Sequence, residues 1–264
     1  MSKKFTIFGN PVEHSLSPKM HGYAIEGLGV DATYDKTLLL NGTKLKETFF
    51  KNNLSGANVT VPHKEEAFKQ ADEVRGIAKT IGAVNTLVLE NGKMIAYNTD
   101  AEGFFESSKK FGDINSILIL GAGGTAKAIS LIFKEKGKDV TLLNRSKARL
   151  KPFIERGFEC YTWDNFSPKS YDLVVNTTSA GLSDTNYPAP KELLSNILNN
   201  SKYAIDVIYN KNTPFLQLAK DLNIPCKDGS DMLLYQGVKA FNLFYHDKFD
   251  EKEITKFMKK AFQR

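Results

Sequence analysis

The chain has 264 residues, 41% of them hydrophobic, with 36 Lys+Arg against 30 Asp+Glu and a formal charge of +6. That length holds one large domain or two ordinary ones, with enough apolar residues for a sizeable core. Because the charges are mixed rather than blocked, and no basic stripe is interleaved with aromatic residues, they read as a lysine-rich solvated surface with a taste for small anions, not as a nucleic-acid platform. Cys160 and Cys226 have no metal-ligand spacing; they read as buried free thiols of a reducing cytosol, although spacing alone leaves a disulfide open. His14, His21 and His63 lack the carboxylate-histidine spacing of a metal site. The N-terminus enters a strand without a signal-peptide core, and no apolar run approaches the roughly 18 residues of a membrane span. The expectation is a cytoplasmic protein with no membrane contact.

Lys4 to Phe8 alternates and stops at Gly9-Asn10-Pro11, a strand and turn. Ser17-Pro18 predicts an N-cap followed by proline in the first turn, opening a helix to about Leu28. Ala32 to Leu39 is a strand, Thr43 to Asn53 a helix, and Gly56 to Val61 a strand stopped by Pro62. Helices are predicted at Lys64 to Ala71 and Val74 to Ile81. Asn85 to Leu89 and Lys93 to Tyr97 flank Asn91-Gly92, a hairpin signal. A helix runs from Asp100 to about Phe111. Ile117 to Leu120 is apolar throughout, as in a strand buried on both faces. A helix from Gly124 to Lys136 and a strand from Val140 to Leu143 complete a βαβ unit. Leu173 to Asn176 and Ala204 to Ile208 are further buried strands. Helices close the chain at Pro214 to Leu222, Asp231 to Tyr245 and Glu251 to Phe262. The alternation predicts an α/β protein with mainly parallel sheets. The break near residues 101 to 115 divides it into residues 1–101 plus 238–264 and a Rossmann-like domain of residues 102–237, with a cleft between them for the ligands.

Gly121-Ala122-Gly123-Gly124-Thr125-Ala126 fits G-x-G-x-x-A between a predicted strand and a predicted helix. Glycine at 121 permits the tight turn, glycine at 123 lets backbone approach a pyrophosphate, and Ala126 lets the helix pack closely. Free N–H groups at the helix start face the phosphate oxygens. The next strand ends in Asn144-Arg145-Ser146, with Lys147 and Arg149 close by. A carboxylate there would accept the ribose hydroxyls of NAD, whereas a guanidinium pairs with a 2′-phosphate, so NADP is favoured.

Several segments, in order and spacing, resemble the shikimate dehydrogenase family: His14-Ser15-Leu16-Ser17-Pro18, Asn58-Val59-Thr60-Val61-Pro62-His63-Lys64, Gly82-Ala83-Val84-Asn85-Thr86 and Asn98-Thr99-Asp100. So do Gly121 to Gly124, Asn144-Arg145-Ser146, Asn176-Thr177-Thr178-Ser179, Asp206-Val207-Ile208-Tyr209-Asn210 and Gln236. The resemblance covers nearly the whole chain. It implies reversible NADPH-dependent reduction of 3-dehydroshikimate to shikimate in chorismate and aromatic amino-acid biosynthesis. It further implies that Ser15 and Ser17, helped by Tyr209, hold the substrate carboxylate. Thr60, Asn85, Asp100 and Gln236 would hold ring hydroxyls, and Lys64 and Asp100 form the catalytic pair. The cofactor would rest on Gly121, Ala122, Gly123, Gly124, Thr125, Ala126, Asn144, Arg145, Ser146, Arg149, Thr178, Val207 and Gly229. The partner is a small molecule, and the assembly a monomer or homodimer.

The residue chemistry agrees. Reduction of a ketone places negative charge on its oxygen, which must receive a proton. Lys64 can supply both charge and proton, with Asp100 orienting it. Amides and hydroxyls suit vicinal diols because each gives and accepts. Ser15 and Ser17 beside a helix start form a natural carboxylate seat. Taken singly, each residue has a structural alternative. Ser17 or Asp100 could be only an N-cap, Lys64 a solvated lysine, Asn85 a turn residue and Arg145 a surface arginine. Gly22, Thr177, Val207 and Lys211 depart from the residues usual in the family. An NAD-using quinate/shikimate dehydrogenase and a non-catalytic NADPH sensor are the alternatives. Arg145 argues against the first, and retention of both Lys64 and Asp100 against the second.

Overall fold

Two six-stranded sheets organise residues 2–263, which the computed structural model describes. Met1–Gly103 with Leu234–Arg264 form one unit and Phe104–Leu233 the other.

The first unit runs β1 (Lys3–Gly9), α1 (Ser17–Gly27), β2 (Ala32–Leu38), α2 (Leu45–Lys51), β3 (Gly56–Val59), α3 (Lys64–Gln70), β4 (Glu73–Val74), α4 (Ala78–Ile81), β5 (Thr86–Glu90) and β6 (Lys93–Tyr97), then enters α5 (Asp100–Ser108). Its sheet has the order β2-β1-β3-β5-β6-β4. β1 pairs in parallel with β2 and β3, and β5 runs antiparallel between β3 and β6. The turn joining β5 to β6 places Asn91 at φ 50° and Gly92 at φ 76°, the twist that a two-residue hairpin requires. The segment expected to be a helix from Val74 is instead drawn into the sheet. Asp72 and Arg75 N–H groups donate to Met94 and Ala96 carbonyls, and only Ala78–Ile81 is helical. The strand expected to reach Val61 ends at Val59.

The second unit continues with β7 (Ser116–Leu120), α6 (Gly124–Glu135), β8 (Asp139–Leu143), α7 (Lys147–Ile154), β9 (Glu159–Tyr161), β10 (Tyr171–Asn176), α8 (Lys191–Asn199), β11 (Ser201–Asp206), α9 (Pro214–Asp221) and β12 (Cys226–Lys227). All five strand pairings are parallel, in the order β12-β11-β10-β7-β8-β9. Ile117 to Leu120 are buried on both faces, as a central parallel strand demands. The chain winds outward from β7 in one direction and from β10 in the other. The carboxyl ends of these two strands therefore mark the switch point, where such sheets bind ligands. β11 closes at Asp206, two residues before the predicted end. Both cysteines are free and half-buried, and burial pushes the Cys160 thiol up to about 11.

The chain returns to the first unit along α10 (Ser230–Phe244) and ends with α11 (Glu251–Met258). Phe244 stacks on Phe5 of β1 with ring centroids 4.6 Å apart, one of the contacts that seat α10 on the sheet. Burying one such aromatic contributes on the order of 1.5–3 kcal/mol.

Candidate active site

In the first unit the sheet register collects the polar residues at one edge. The carboxyl end of β3 lies beside the amino end of antiparallel β5, with Asn58 opposite Thr86. Thr86 in turn faces Tyr97 at the carboxyl end of β6. Asn85 just before β5, Asn98 to Asp100 just after β6, and Lys64 at the start of α3 therefore converge, although 36 residues separate Lys64 from Asp100. Backbone bonds tie them: Val84 N–H donates to Lys64 O at 3.0 Å, Asn85 N–H to Tyr97 O at 3.1 Å, and Val59 N–H to Asn85 O at 2.8 Å.

Lys64 Nζ donates to Asp100 Oδ2 at 2.6 Å, with side chains 24% and 11% exposed. The other carboxylate oxygen, Oδ1, accepts Asn85 Nδ2 at 2.9 Å. Thr99 N–H donates to Asn85 Oδ1 at 2.8 Å, which fixes the orientation of this amide. Asn85 Nδ2 also reaches Thr99 Oγ1 at 3.0 Å and Gln236 Oε1 at 3.2 Å. Its two hydrogens thus face three acceptors, so a ligand oxygen entering there competes for one of them. Gln236 comes from α10, and Gly103 of α5 admits it. A Cβ at Gly103 would stand 2.5 Å from Gln236 N, so only glycine lets the two helices approach this closely. Asp100 is the first residue of α5 and does not cap it; Asn98 Oδ1 accepts the Ala101 N–H at 3.2 Å.

Ser15 and Ser17 lie at the opening of α1. The N-cap predicted for Ser17 is corrected: Ser17 is already helical, Leu16 occupies the cap position, and no side chain caps the helix there. Instead Ser15 Oγ accepts the Ser17 N–H at 3.2 Å. Ser17 is buried and within reach of the Tyr34 hydroxyl, which donates to Asn58 Oδ1 at 2.6 Å. Thr60, half-buried, follows β3, its N–H bound to Phe8 O at 2.8 Å. Asn58, Thr86 and Thr99 were given no individual role in the sequence reading, yet they brace Asn85 and Asp100. Asn58 Nδ2 donates to Asn85 O and to Thr86 Oγ1 at 3.1 and 3.2 Å. The available signal was their place: amides and hydroxyls at the ends of otherwise apolar strands.

The remaining candidates lie in the second unit, at the carboxyl edge of its parallel sheet. Gly121 follows β7 with φ +113°, a conformation open to glycine; a Cβ there would meet Thr177 Oγ1 at 2.7 Å. Gly123 and Gly124 are exposed, side chains at either would meet nothing within 4 Å, and no side chain caps α6. This bare helix start, with Ala126 buried behind it, suits a dinucleotide pyrophosphate. Arg145 and Arg149 follow β8, exposed and without an ion pair among the described residues, with Asn144 Nδ2 bound to Ser146 O at 3.0 Å. Cationic groups not paired with a carboxylate among the described residues suit the 2′-phosphate of NADP. Ala122 lies between β7 and α6, and Thr125 is in the first turn of α6. Thr178 follows β10, its N–H and hydroxyl both donating to Asn176 Oδ1, at 3.0 and 2.8 Å. Val207 and Tyr209 follow β11, and Gly229 N–H donates to Ile208 O at 3.0 Å. Burial raises the Tyr209 phenol above its ordinary value.

These features define a dinucleotide-binding α/β protein with a separate polar site on a mixed sheet. The model of the shikimate dehydrogenase substrate binding domain matches residues 7–87. The NADP(+)-dependent shikimate dehydrogenase of Helicobacter hepaticus is 47% identical over 94% of this chain and 92% of its own length. That of Helicobacter pylori strain P12 is 42% identical over 98% and 99%. The structure of a Thermus thermophilus shikimate 5-dehydrogenase in complex with NADP(H) and shikimate superposes with a TM-score of 0.85 at 34% identity, covering 98% of this chain and 99% of that one. The chain belongs to the shikimate dehydrogenase family. Of its departures from the family pattern, Thr177 gives its hydroxyl to Leu120 O at 2.7 Å, and Lys211 binds Leu182 O at 2.7 Å. A side chain at Gly22 would meet nothing within 4 Å.

Proposed function

We propose that this protein reversibly reduces 3-dehydroshikimate to shikimate with NADPH, and that Lys64 and Asp100 perform the proton transfer. The observation that carries the reading is the 2.6 Å Lys64–Asp100 pair, partly open to solvent and held from behind by Asn85. NADPH, when bound, supplies the hydride. Lys64 stabilises the charge growing on the ketone oxygen and gives it a proton, and the reverse direction returns that proton to the amine. Asp100 keeps the ammonium aimed and accepts from a neighbouring ring hydroxyl. Gln236, Thr60 and Asn85 offer further acceptors and donors to the ring. Ser15, Ser17 and Tyr209 take the carboxylate. The residues from Gly121 to Ala126 receive the pyrophosphate, Asn144, Arg145, Ser146 and Arg149 the phosphorylated ribose, and Thr178, Val207 and Gly229 the nicotinamide side.

The test is to follow the nicotinamide absorbance of purified protein with shikimate or quinate, each with NADP or NAD. The expected result is turnover of shikimate with NADP well above the other three pairings. No turnover in any pairing, or a preference for quinate with NAD, would refute the reading.

A further inference from the structure

At the switch edge of the second sheet, two buried side chains join the segments that follow β10 and β11. Asp206 and Asn176 are fully buried, as is Thr213. Asp206 Oδ1 accepts the Ile208 N–H at 3.0 Å. Its other oxygen, Oδ2, accepts Thr213 Oγ1 at 2.6 Å and Asn176 Nδ2 at 3.0 Å. Asn176 Oδ1 in turn holds Thr178 through both its N–H and its hydroxyl. Thr213 also caps α9, accepting the Leu216 N–H at 3.3 Å. Among the described residues no cation neutralises Asp206; neutral donors meet its carboxylate, and the like charge of Asp228 adds to the cost of burial. Burial pushes its carboxyl above the usual carboxylate range, and the three donors oppose that. A buried carboxylate without a cation is costly, and three convergent donors are what make it tolerable.

We propose that Asp206 is a positioning residue for substrate binding, acting through Tyr209: it clamps the Val207–Tyr209 segment to Asn176 and Thr213. The inference rests on the assignment of Tyr209 to the substrate carboxylate. Both carboxylate oxygens of Asp206 are acceptors in use. An asparagine in its place can keep only one of them, and its amide group must turn hydrogens toward either the Ile208 N–H or the Asn176 and Thr213 donors. The segment carrying Tyr209 then loses this side-chain anchor and keeps the backbone bonds of Val207 N–H to Asn176 O and Gly229 N–H to Ile208 O, while Gly121 to Ala126 and Arg145 keep their own supports.

The experiment compares Asp206→Asn, Tyr209→Phe and the double variant in steady-state kinetics, with direct titration of NADP. The expected outcome is a rise of about tenfold in the shikimate KM for each single variant, the worth of one hydrogen bond. NADP affinity should fall by less than the shikimate KM rises, because the clamp also holds Val207 and Thr178 at the nicotinamide side but not the residues assigned to the pyrophosphate and the 2′-phosphate. The double variant should be little worse than Tyr209→Phe alone, because both changes act on one contact. Thr213→Val and Thr213→Ser keep the test decisive if Asp206→Asn folds poorly. The valine should raise the shikimate KM, and the serine, which keeps the hydroxyl, should restore it. If Tyr209→Phe raises the shikimate KM while Asp206→Asn and Thr213→Val leave it unchanged, the inference alone is overturned. Equal losses for shikimate and NADP, or fully additive losses, overturn it too, since they mark a general structural role. If Tyr209→Phe changes nothing, the carboxylate assignment and the inference fall together.

Discussion

Asp100 receives Lys64 on one carboxylate oxygen and Asn85 on the other, at 2.6 and 2.9 Å. The lysine is thus aimed by a group that is itself held on its far side. Lys64→Ala should cut kcat by about 10²–10⁴, the usual worth of a positioned acid or base, with a smaller effect on shikimate affinity. Asp100→Asn should lose both rate and affinity, and the two changes together should cost less than the sum of the singles. A folded Lys64→Ala protein with near wild-type kcat would leave Lys64 a binding group at most.

Arg145 carries the cofactor choice. It is exposed and has no carboxylate partner among the described residues, so it is available to a 2′-phosphate. Arg145→Ala should raise the NADP KM by about tenfold or more and leave the NAD KM nearly unchanged. Equal losses with both cofactors would place the 2′-phosphate elsewhere.

Ser15 and Ser17 should each affect both binding and stability. Ser17 caps nothing, but its buried hydroxyl lies within reach of the Tyr34 hydroxyl, so Ser17→Ala should weaken shikimate use and cost about 0.5–1.5 kcal/mol of unfolding free energy, the worth of one hydrogen bond. Ser15 supplies the oxygen that accepts the Ser17 N–H, so Ser15→Ala should weaken shikimate use and also cost about 1 kcal/mol in denaturant unfolding. Unchanged shikimate affinity in both would remove them from the carboxylate seat.

The features legible in the sequence were those whose cause is local. The apolar run at Ile117 to Leu120, the glycines at 121 and 123 and the Asn91-Gly92 hairpin each state their geometry within a few residues. The alternation of strands and helices gave the α/β class the same way. What escaped was set by partners far along the chain. Val74 has no local reason to be extended; its partner Ala96 lies across the sheet. The edge strands Glu159–Tyr161 and Cys226–Lys227 are too short to show a period. α7 carries Pro152 within it and hides its helical pattern. Asp206 and Asn176 look like ordinary strand-end polar residues until the parallel register places them side by side, 30 residues apart in sequence.

His21 should make the protein acid-sensitive. It is fully buried on α1, its ring stacked 4.2 Å from the Tyr34 ring, and neither ring nitrogen has a hydrogen-bond partner among the described residues. Burial pushes its pKa down to about 3 from an ordinary 6.5. Tyr34, its stacking partner, has its own pKa raised by burial and stays neutral, so no charge nearby compensates an imidazolium. Between these two values the unfolded chain binds a proton that the folded chain refuses. Stability from this residue is therefore intact above about pH 6.5 and falls as pH drops toward 3, by at most about 1.4 kcal/mol per pH unit. His21→Phe keeps an aromatic ring in the stack and has no proton to bind. Relative to wild type, it should have similar stability at neutral pH and gain steadily as pH falls from 6.5. Urea unfolding of both proteins across that range measures the difference directly and cancels the carboxylates they share. A stability difference that stays constant from neutral pH to pH 4 would mean that His21 takes up its proton in the folded protein, against the burial and the missing partners described here.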